Sequence, residues 1–170
     1  MSLRHALLGL LSERTASGYD LLKLFETSLA TVWPATQSQI YTELTKLADS
    51  GLTAVAAEGP RGRKEYAITG EGLAELRHWL TETKPQRNTR SDILLRVFFL
   101  GVLTPEQARG YLADLMEMSE QGVESLSRLA ESIDWDDGSL SVYGRIALEY
   151  GLRFNAMRRE WAEWAAEQIR

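Results

Sequence analysis

Five hydrogen-bonding side chains, Ser38, Gln39, Thr42, Thr45 and Lys46, share one side of a predicted helix, with Tyr41 on its flank. Their chemistry suits the edges of bases. Gln39 can bridge an adenine, Ser38 and Thr42 can donate or accept, and Lys46 fits a guanine or a phosphate. A face meant only for water more usually carries Glu and Lys. Most polar helix faces nevertheless meet solvent, so composition alone leaves both readings open. A second cluster, Arg61, Arg63 and Lys64, follows in a turn punctuated by Gly59, Pro60 and Gly62. Cations on a hairpin tip are often simply solvated; beside a base-reading helix they would form a phosphate clamp.

Enzymatic chemistry finds no comparable constellation. His5 and His78 are the only histidines, they fall on different predicted helices, and the chain has no cysteine. No metal-ligand spacing results, and no nucleophile elbow, Walker loop or dinucleotide fingerprint occurs. We therefore expect no catalytic residue, no metal and no cofactor. No apolar run approaches a membrane span, and the start MSLRHALLGLL lacks a small-residue cleavage site, so the expected location is cytoplasmic. The net charge of −5 argues mildly against nucleic acid. Residues 1–80 hold eight Lys/Arg against nine Asp/Glu, so their balance is close to neutral. What matters for DNA is a local basic surface, because only contacted phosphates release counterions.

The elements that must position these groups are legible. Residues 37–50 place Ile40, Leu44, Leu47 and Ala48 at helical spacing toward a core. Thr36 is a fitting N-cap with Gln39 reaching back, Pro34 closes off extended chain before it, and Gly51 suits the left-handed residue past the end. Upstream, residues 3–12 form a first helix. Ser17 and Asp20 form a second capping box, opening a helix with Tyr19, Leu21, Leu22, Leu24 and Phe25. Downstream, residues 52–57 and 63–68 read as two strands around the basic turn. Thr69 then caps a fourth helix, 71–81, with Leu73, Leu76 and Leu80 inward and Trp79 nearby. Three helices, a two-stranded wing and a fourth helix make the element order of a winged helix-turn-helix.

Residues 84–90 hold no apolar side chain and include Pro85, and are read as a linker between a domain at 1–83 and another at 91–170. Residues 91–100 are apolar on nearly every side, so that helix needs cover all round. Thr104-Pro105-Glu106-Gln107 opens a long helix with Ala108, Leu112, Leu115, Ser119, Gly122, Leu126, Leu129 and Ile133 on a seam. After a turn at 134–139, a last helix repeats the pattern with Leu140, Tyr143, Ala147, Tyr150, Phe154, Met157, Trp161 and Trp164. Two such helices should form an antiparallel hairpin. The whole is mainly α.

LLGLL at the start, SGYDL (17–21), QIYTELTKLADSGL (39–52) and GRKEYAITGEG (62–72), taken in that order, resemble the PadR-like transcriptional regulators. The motifs span about the first 80 residues, and the C-terminal half is similar by pattern to the family's longer-tailed branch. The resemblance implies a homodimeric winged-helix regulator, usually a repressor, that binds a palindromic double-stranded operator and releases it on binding a small aromatic or hydrophobic effector. It implies that the helix at 37–50 enters the major groove, that the hairpin at 52–68 lies along the backbone or minor groove, and that the C-terminal helices dimerise. A tyrosine stands at the position of Tyr41 in the family's motif.

On this reading the DNA-binding candidates are Ser38, Gln39, Tyr41, Thr42, Lys46, Arg61, Arg63 and Lys64. Leu95, Phe99, Leu115, Leu126, Tyr143, Met157 and Trp161 are candidates for the dimer seam. Trp33, Arg96, Phe98, Tyr150 and Phe154 could line an effector pocket, although aromatics at heptad spacing are more often core or seam. Arg96 either pairs with a carboxylate such as Glu149 or awaits an anionic ligand. The alternative function is a winged-helix adaptor that binds protein instead of DNA, which the negative charge would suit.

Overall fold

Apolar residues spaced by three and four drive the first element, α1 (Leu3–Glu13), which buries Leu7, Leu8, Leu10 and Leu11. In this computed structural model, residues 3–26, 35–59, 63–85 and 90–170 are described. Contacts divide the chain into two compact units, Met1–Pro85 and Gln86–Arg170. In the first unit, α1 is followed by a two-residue strand β1 (Ala16–Ser17), α2 (Gly18–Leu24), α3 (Gln37–Asp49), β2 (Thr53–Glu58), β3 (Lys64–Ile68) and α4 (Gly70–Thr81). Leu21, Phe25, Ile40, Leu44, Leu47 and Leu76 complete one core with the leucines of α1. Both expected capping boxes are present, Ser17 with Asp20 and Thr36 with Gln39.

The two-stranded wing acquires a third strand. The sheet order is β1-β3-β2, antiparallel throughout, with Ala16 opposite Tyr66 and Ser17 opposite Glu65. Two residues are too few to carry an alternation, so only the fold brings them to the edge of β3. One expected core position is corrected. Leu80 is 65% exposed, because the inward stripe of α4 is Gly72, Leu76 and Trp79. Leu80 lies a further ~100° round the helix. Trp79 is occupied against α1, stacked on His5 with ring centroids 4.5 Å apart, while Glu75 Oε1 stands 3.2 Å from His5 Nε2.

The second unit contains α5 (Asp92–Phe98), a 3-10 turn (Leu100–Val102), α6 (Pro105–Ser132) and α7 (Ser139–Glu167). Thr104 and Gln107 form the third capping box, with proline in the first turn. The long helices run antiparallel. Arg159 reaches Glu120 at 2.7 Å, Asn155 lies against Gly122, Leu126 against Gly151, and Arg109 Nη1 donates to the Ile169 carbonyl at 3.0 Å. On α6 the expected seam holds, with Ala108, Leu112, Leu115 and Ser119 buried.

On α7 the seam is not the aromatic one. Gly144, Gly151, Asn155 and Ala162 face inward, whereas Tyr143, Tyr150, Met157 and Trp164 are 69%, 71%, 53% and 57% exposed. Tyr143 and Tyr150 each stand one residue before an inward glycine, about 100° away on a helix. Small residues prevail because they let the backbones approach: a Cβ on Gly151 would stand 2.8 Å from Leu126 Cδ1. Ile93, Val97 and Leu100 dock on the cluster of Leu112, Leu115 and Ala162. Leu94, Leu95, Phe98 and Phe99 are left at least half exposed.

A test of the packing follows from Gly72, where a Cβ would collide with the carbonyl oxygen of Leu52. Gly72→Ala is expected to cost about 3 kcal/mol, the upper end of overpacking. Gly70→Ala, which meets open space, should be neutral or stabilising by up to about 1 kcal/mol. Urea melts of the two variants check the contrast.

Candidate nucleic-acid interface

Helix α3 is pinned at both ends. At the start, the Gln39 amide N–H donates to Thr36 Oγ1 at 3.4 Å and the Thr36 N–H donates to Gln39 Oε1 at 2.8 Å. At the end, Gly51 adopts φ +73. The Gly51 and Leu52 N–H groups return to the carbonyls of Ala48 and Leu47, both at 3.0 Å. That is a Schellman closure, and only a residue without a Cβ adopts its φ without strain. Ile40, Leu44 and Leu47, each 0% exposed, lock the inner face into the core. Ser38, Gln39, Tyr41, Thr42, Thr45 and Lys46 are thereby turned to solvent together.

Their availability differs. Gln39 cannot bridge an adenine while Oε1 accepts from both the Thr36 amide and the Thr36 hydroxyl, because bidentate adenine contact needs that oxygen. Gln39 stands here as the second half of the α3 capping box. The Thr45 hydroxyl donates to the Tyr41 carbonyl at 3.1 Å, and the Ser38 hydroxyl lies 3.3 Å from that of Thr36. Thr42 makes no side-chain hydrogen bond among the described residues and is the freest hydroxyl of the face. Lys46 pairs loosely with Glu43 at 3.5 Å and is 64% exposed.

Leu3 and Glu43 are additions to the expected set: they line an open depression with Ser38, Gln39, Thr42 and Lys46. For Glu43 the sequence does carry a signal, the three-residue step to Lys46. Leu3 carries no such signal, since it comes from α1. Tyr41, 40% exposed, lies over Gly18, where a Cβ would stand 2.6 Å from its Cε1. The glycine of the SGYDL motif thus makes room for the tyrosine ring of α3.

In the wing, the Gly59 N–H closes the turn on the Arg63 carbonyl at 2.7 Å. Arg61 and Trp33 lie outside the described residues. Arg63 is engaged: its Nη2 donates to Asp20 Oδ2 at 2.7 Å. Asp20 Oδ2 also accepts from the Ser17 hydroxyl at 2.6 Å and the Ser17 N–H at 3.2 Å. The Ser17 hydrogen bonds first, and the Arg63 charge after them, hold the Asp20 carboxyl below the usual carboxylate range. Lys64 is exposed, opposite Glu58 in the β2–β3 register.

In the second unit, Arg96 pairs with Asp92 at 2.7 Å, four residues back on the same helix. Glu149 is taken by Arg153 at 2.7 Å. The expected partner of Arg96 is therefore corrected, the local i,i+4 step being the shorter reach. Phe98 is 82% exposed and stands edge-on to Phe99. Tyr150 stacks on Phe154 at 6.2 Å, with the Arg158 guanidinium 4.8 Å from the Phe154 ring. Among the seam candidates, Leu95, Phe99, Tyr143 and Met157 are exposed, and Leu126 and Trp161 are half-buried. Leu115, at 3% exposure, packs between α5, α6 and α7.

Comparison with known proteins adds to this geometry. Residues 7–78 match the model of the transcriptional regulator PadR-like family, and residues 89–170 match that of the virulence activator alpha C-terminal region. The negative transcriptional regulator PadR of Bacillus subtilis is 31% identical over 135 residues, covering 77% of this chain and 74% of that protein. Its crystal structure with operator DNA superposes with a TM-score of 0.83 at 27% identity, over 100% of both chains. Its crystal structure with p-coumaric acid gives 0.84 at 29% identity, over 98% of each. Among the described residues no helix is long and apolar enough to cross a membrane. The hydroxyl-bearing helix, its wing and these relatives agree: the chain belongs to the PadR-like family of transcriptional regulators.

Proposed function

We propose that the chain is a homodimeric, ligand-responsive repressor that binds an inverted-repeat operator through α3 and the wing. The observation that carries this is the outward face of α3, where Ser38, Tyr41, Thr42 and Lys46 stand exposed on a helix fixed at both ends. Duplex DNA as the partner is supported by the operator complex of the Bacillus subtilis relative, and repression by that relative's being a negative regulator. In this reading α3 enters the major groove, Thr42 and Ser38 meet base edges, and Lys46 and Lys64 meet phosphates. Residues 1–83 read DNA, 84–90 link, and 91–170 dimerise.

A two-fold operator requires two copies, and apolar surface argues for where they meet. Leu95 of α5, Phe99 just past its end and Tyr143, Ile146 and Met157 of α7 are all more than half exposed in one protomer. Large apolar side chains left exposed in this number are characteristic of association surfaces. A planar aromatic effector is supported by the p-coumaric acid complex of the relative. On this chain, the Tyr150–Phe154 stack with Arg158 beside it offers a flat apolar surface next to a cation. Such a ligand drives release only by preferring the non-binding geometry; equal affinity for both shifts nothing.

Three outcomes are expected. Selection from a randomised duplex pool should return an inverted repeat with half-sites about 10 bp apart, or a multiple of that spacing. Thr42→Ala should then cost roughly 1–3 kcal/mol at one base position. Recovery of no preferred sequence would remove the DNA reading. Sedimentation at micromolar concentration should give a dimer, and Met157→Asp should dissociate or unfold it because an unpaired charge in an apolar seam is costly; a well-folded wild-type monomer would refute the assembly. Phenolic acids should quench tryptophan fluorescence and release the selected duplex, with Phe154→Ala blunting both. A panel of such acids without either effect would leave a regulator that answers to no aromatic ligand.

A further inference from the structure

We infer that Asp20 and Arg63 form a positioning strut for the wing, so that Arg63 sets where the hairpin stands and does not itself clamp a phosphate. The inference rests on the DNA-binding reading above. It reverses the expectation for Arg63 that its charge and place on the hairpin suggest.

Three observations meet at one atom. Asp20 Oδ2 receives the Arg63 guanidinium at 2.7 Å, the Ser17 hydroxyl at 2.6 Å and the Ser17 amide at 3.2 Å. Asp20 is the third residue of α2, held by its own capping box, and Arg63 is 43 residues away, immediately before β3. The same two segments meet a second time, where Ser17, only 1% exposed, pairs with Glu65 across the β1–β3 ladder. The wing root is thus tied to the start of α2 at two adjacent points, one through backbone and one through charge.

Energetics suggest what the charged tie is for. Its side chains are 52% and 39% exposed, and exposed ion pairs add little to global stability. Such a contact acts by orientation. Without it, the start of β3 would be held by the short ladder alone, and Lys64 beside it would be ordered only on meeting DNA. Ordering a side chain or loop at an interface costs about twofold to tenfold in affinity per group. Asp20 also neutralises Arg63, which removes it from the set of charges that release counterions. Lys64, exposed on the next residue, is left as the phosphate-facing cation of the wing root.

The test compares Asp20→Asn, Arg63→Ala, their double variant and Lys64→Ala with the wild-type chain. Asparagine keeps an oxygen to accept the two Ser17 bonds, so the cap survives while the charge is lost. In the free proteins, hydrogen exchange of the β2–β3 amides should accelerate equally in Asp20→Asn, Arg63→Ala and the double variant, and return to the wild-type rate in Asp20→Glu. The thermal midpoint should stay nearly constant. On the duplex that the wild type selects, each of the three should bind about twofold to tenfold more weakly, non-additively, with the slope of log K against log salt unchanged. Lys64→Ala should lower that slope by about 1.

Arg63→Ala lowering the slope by about 1, with Asp20→Asn binding as well as or better than wild type, would overturn the inference and make Arg63 a phosphate contact. Unchanged exchange in Asp20→Asn would equally overturn it. The exchange measurement needs no DNA, so a wild type that selects no duplex would refute the DNA reading while the strut stands or falls by exchange.

Discussion

One junction of backbone groups holds the first unit in its working shape: the meeting of Gly51, Leu52, Thr69 and Gly72. Gly51 ends α3 in the left-handed region. The Thr69 hydroxyl donates to the Gly51 carbonyl at 2.7 Å and accepts from the Gly72 N–H at 3.0 Å. The Thr69 N–H donates to the Leu52 carbonyl at 3.1 Å, and that same carbonyl occupies the space a side chain on Gly72 would need. One hydroxyl therefore closes α3 and opens α4, while β2 and β3 run out from the junction and back as the wing. A helix that ends in satisfied hydrogen bonds does not fray, and its outer face keeps its direction.

Electrostatically the interface is balanced. Lys46 has Glu43, Arg63 has Asp20, and Lys64 faces Glu58 across the ladder. Such pairing leaves little surplus positive charge among the described residues, in keeping with the negative net charge of the chain. Sequence-independent affinity scales with the number of phosphates neutralised. A regulator built this way would depend on fit, through hydroxyl contacts and a wing set at a fixed place, more than on bulk attraction.

The second unit divides its work between two faces of one helix. Gly151 and Ala162 of α7 face α6 and Gly144 faces Trp135 in the connection, while Tyr143 and Tyr150, one residue before the two glycines, point away. The glycines are what free the aromatics for another purpose. Had the tyrosines packed against α6, the hairpin would be satisfied within one chain and would present little apolar surface to a second copy or a flat ligand.

Much of this is settled by local sequence. The three capping boxes, the Gly51 terminus and the buried stripe of α3 depend on residues within one or two helical turns of each other. Their chemistry admits few alternatives, so the order of residues alone dictates them. The outward hydroxyls are legible for the same reason: once Ile40, Leu44 and Leu47 point inward, Ser38 and Thr42 must point out. Tertiary structure alone decided the rest. Strand β1 has two residues and no periodicity of its own. The tie from Asp20 to Arg63 joins residues 43 apart, and Leu3 joins the α3 face from another helix. Arg96 found a partner in Asp92, four residues back, that only geometry could rank above a distant carboxylate. On α7, two heptad stripes lie one residue apart, and hydropathy favours the aromatic one. Close approach of two backbones favours the small one, and that preference exists only where a second helix is present to approach.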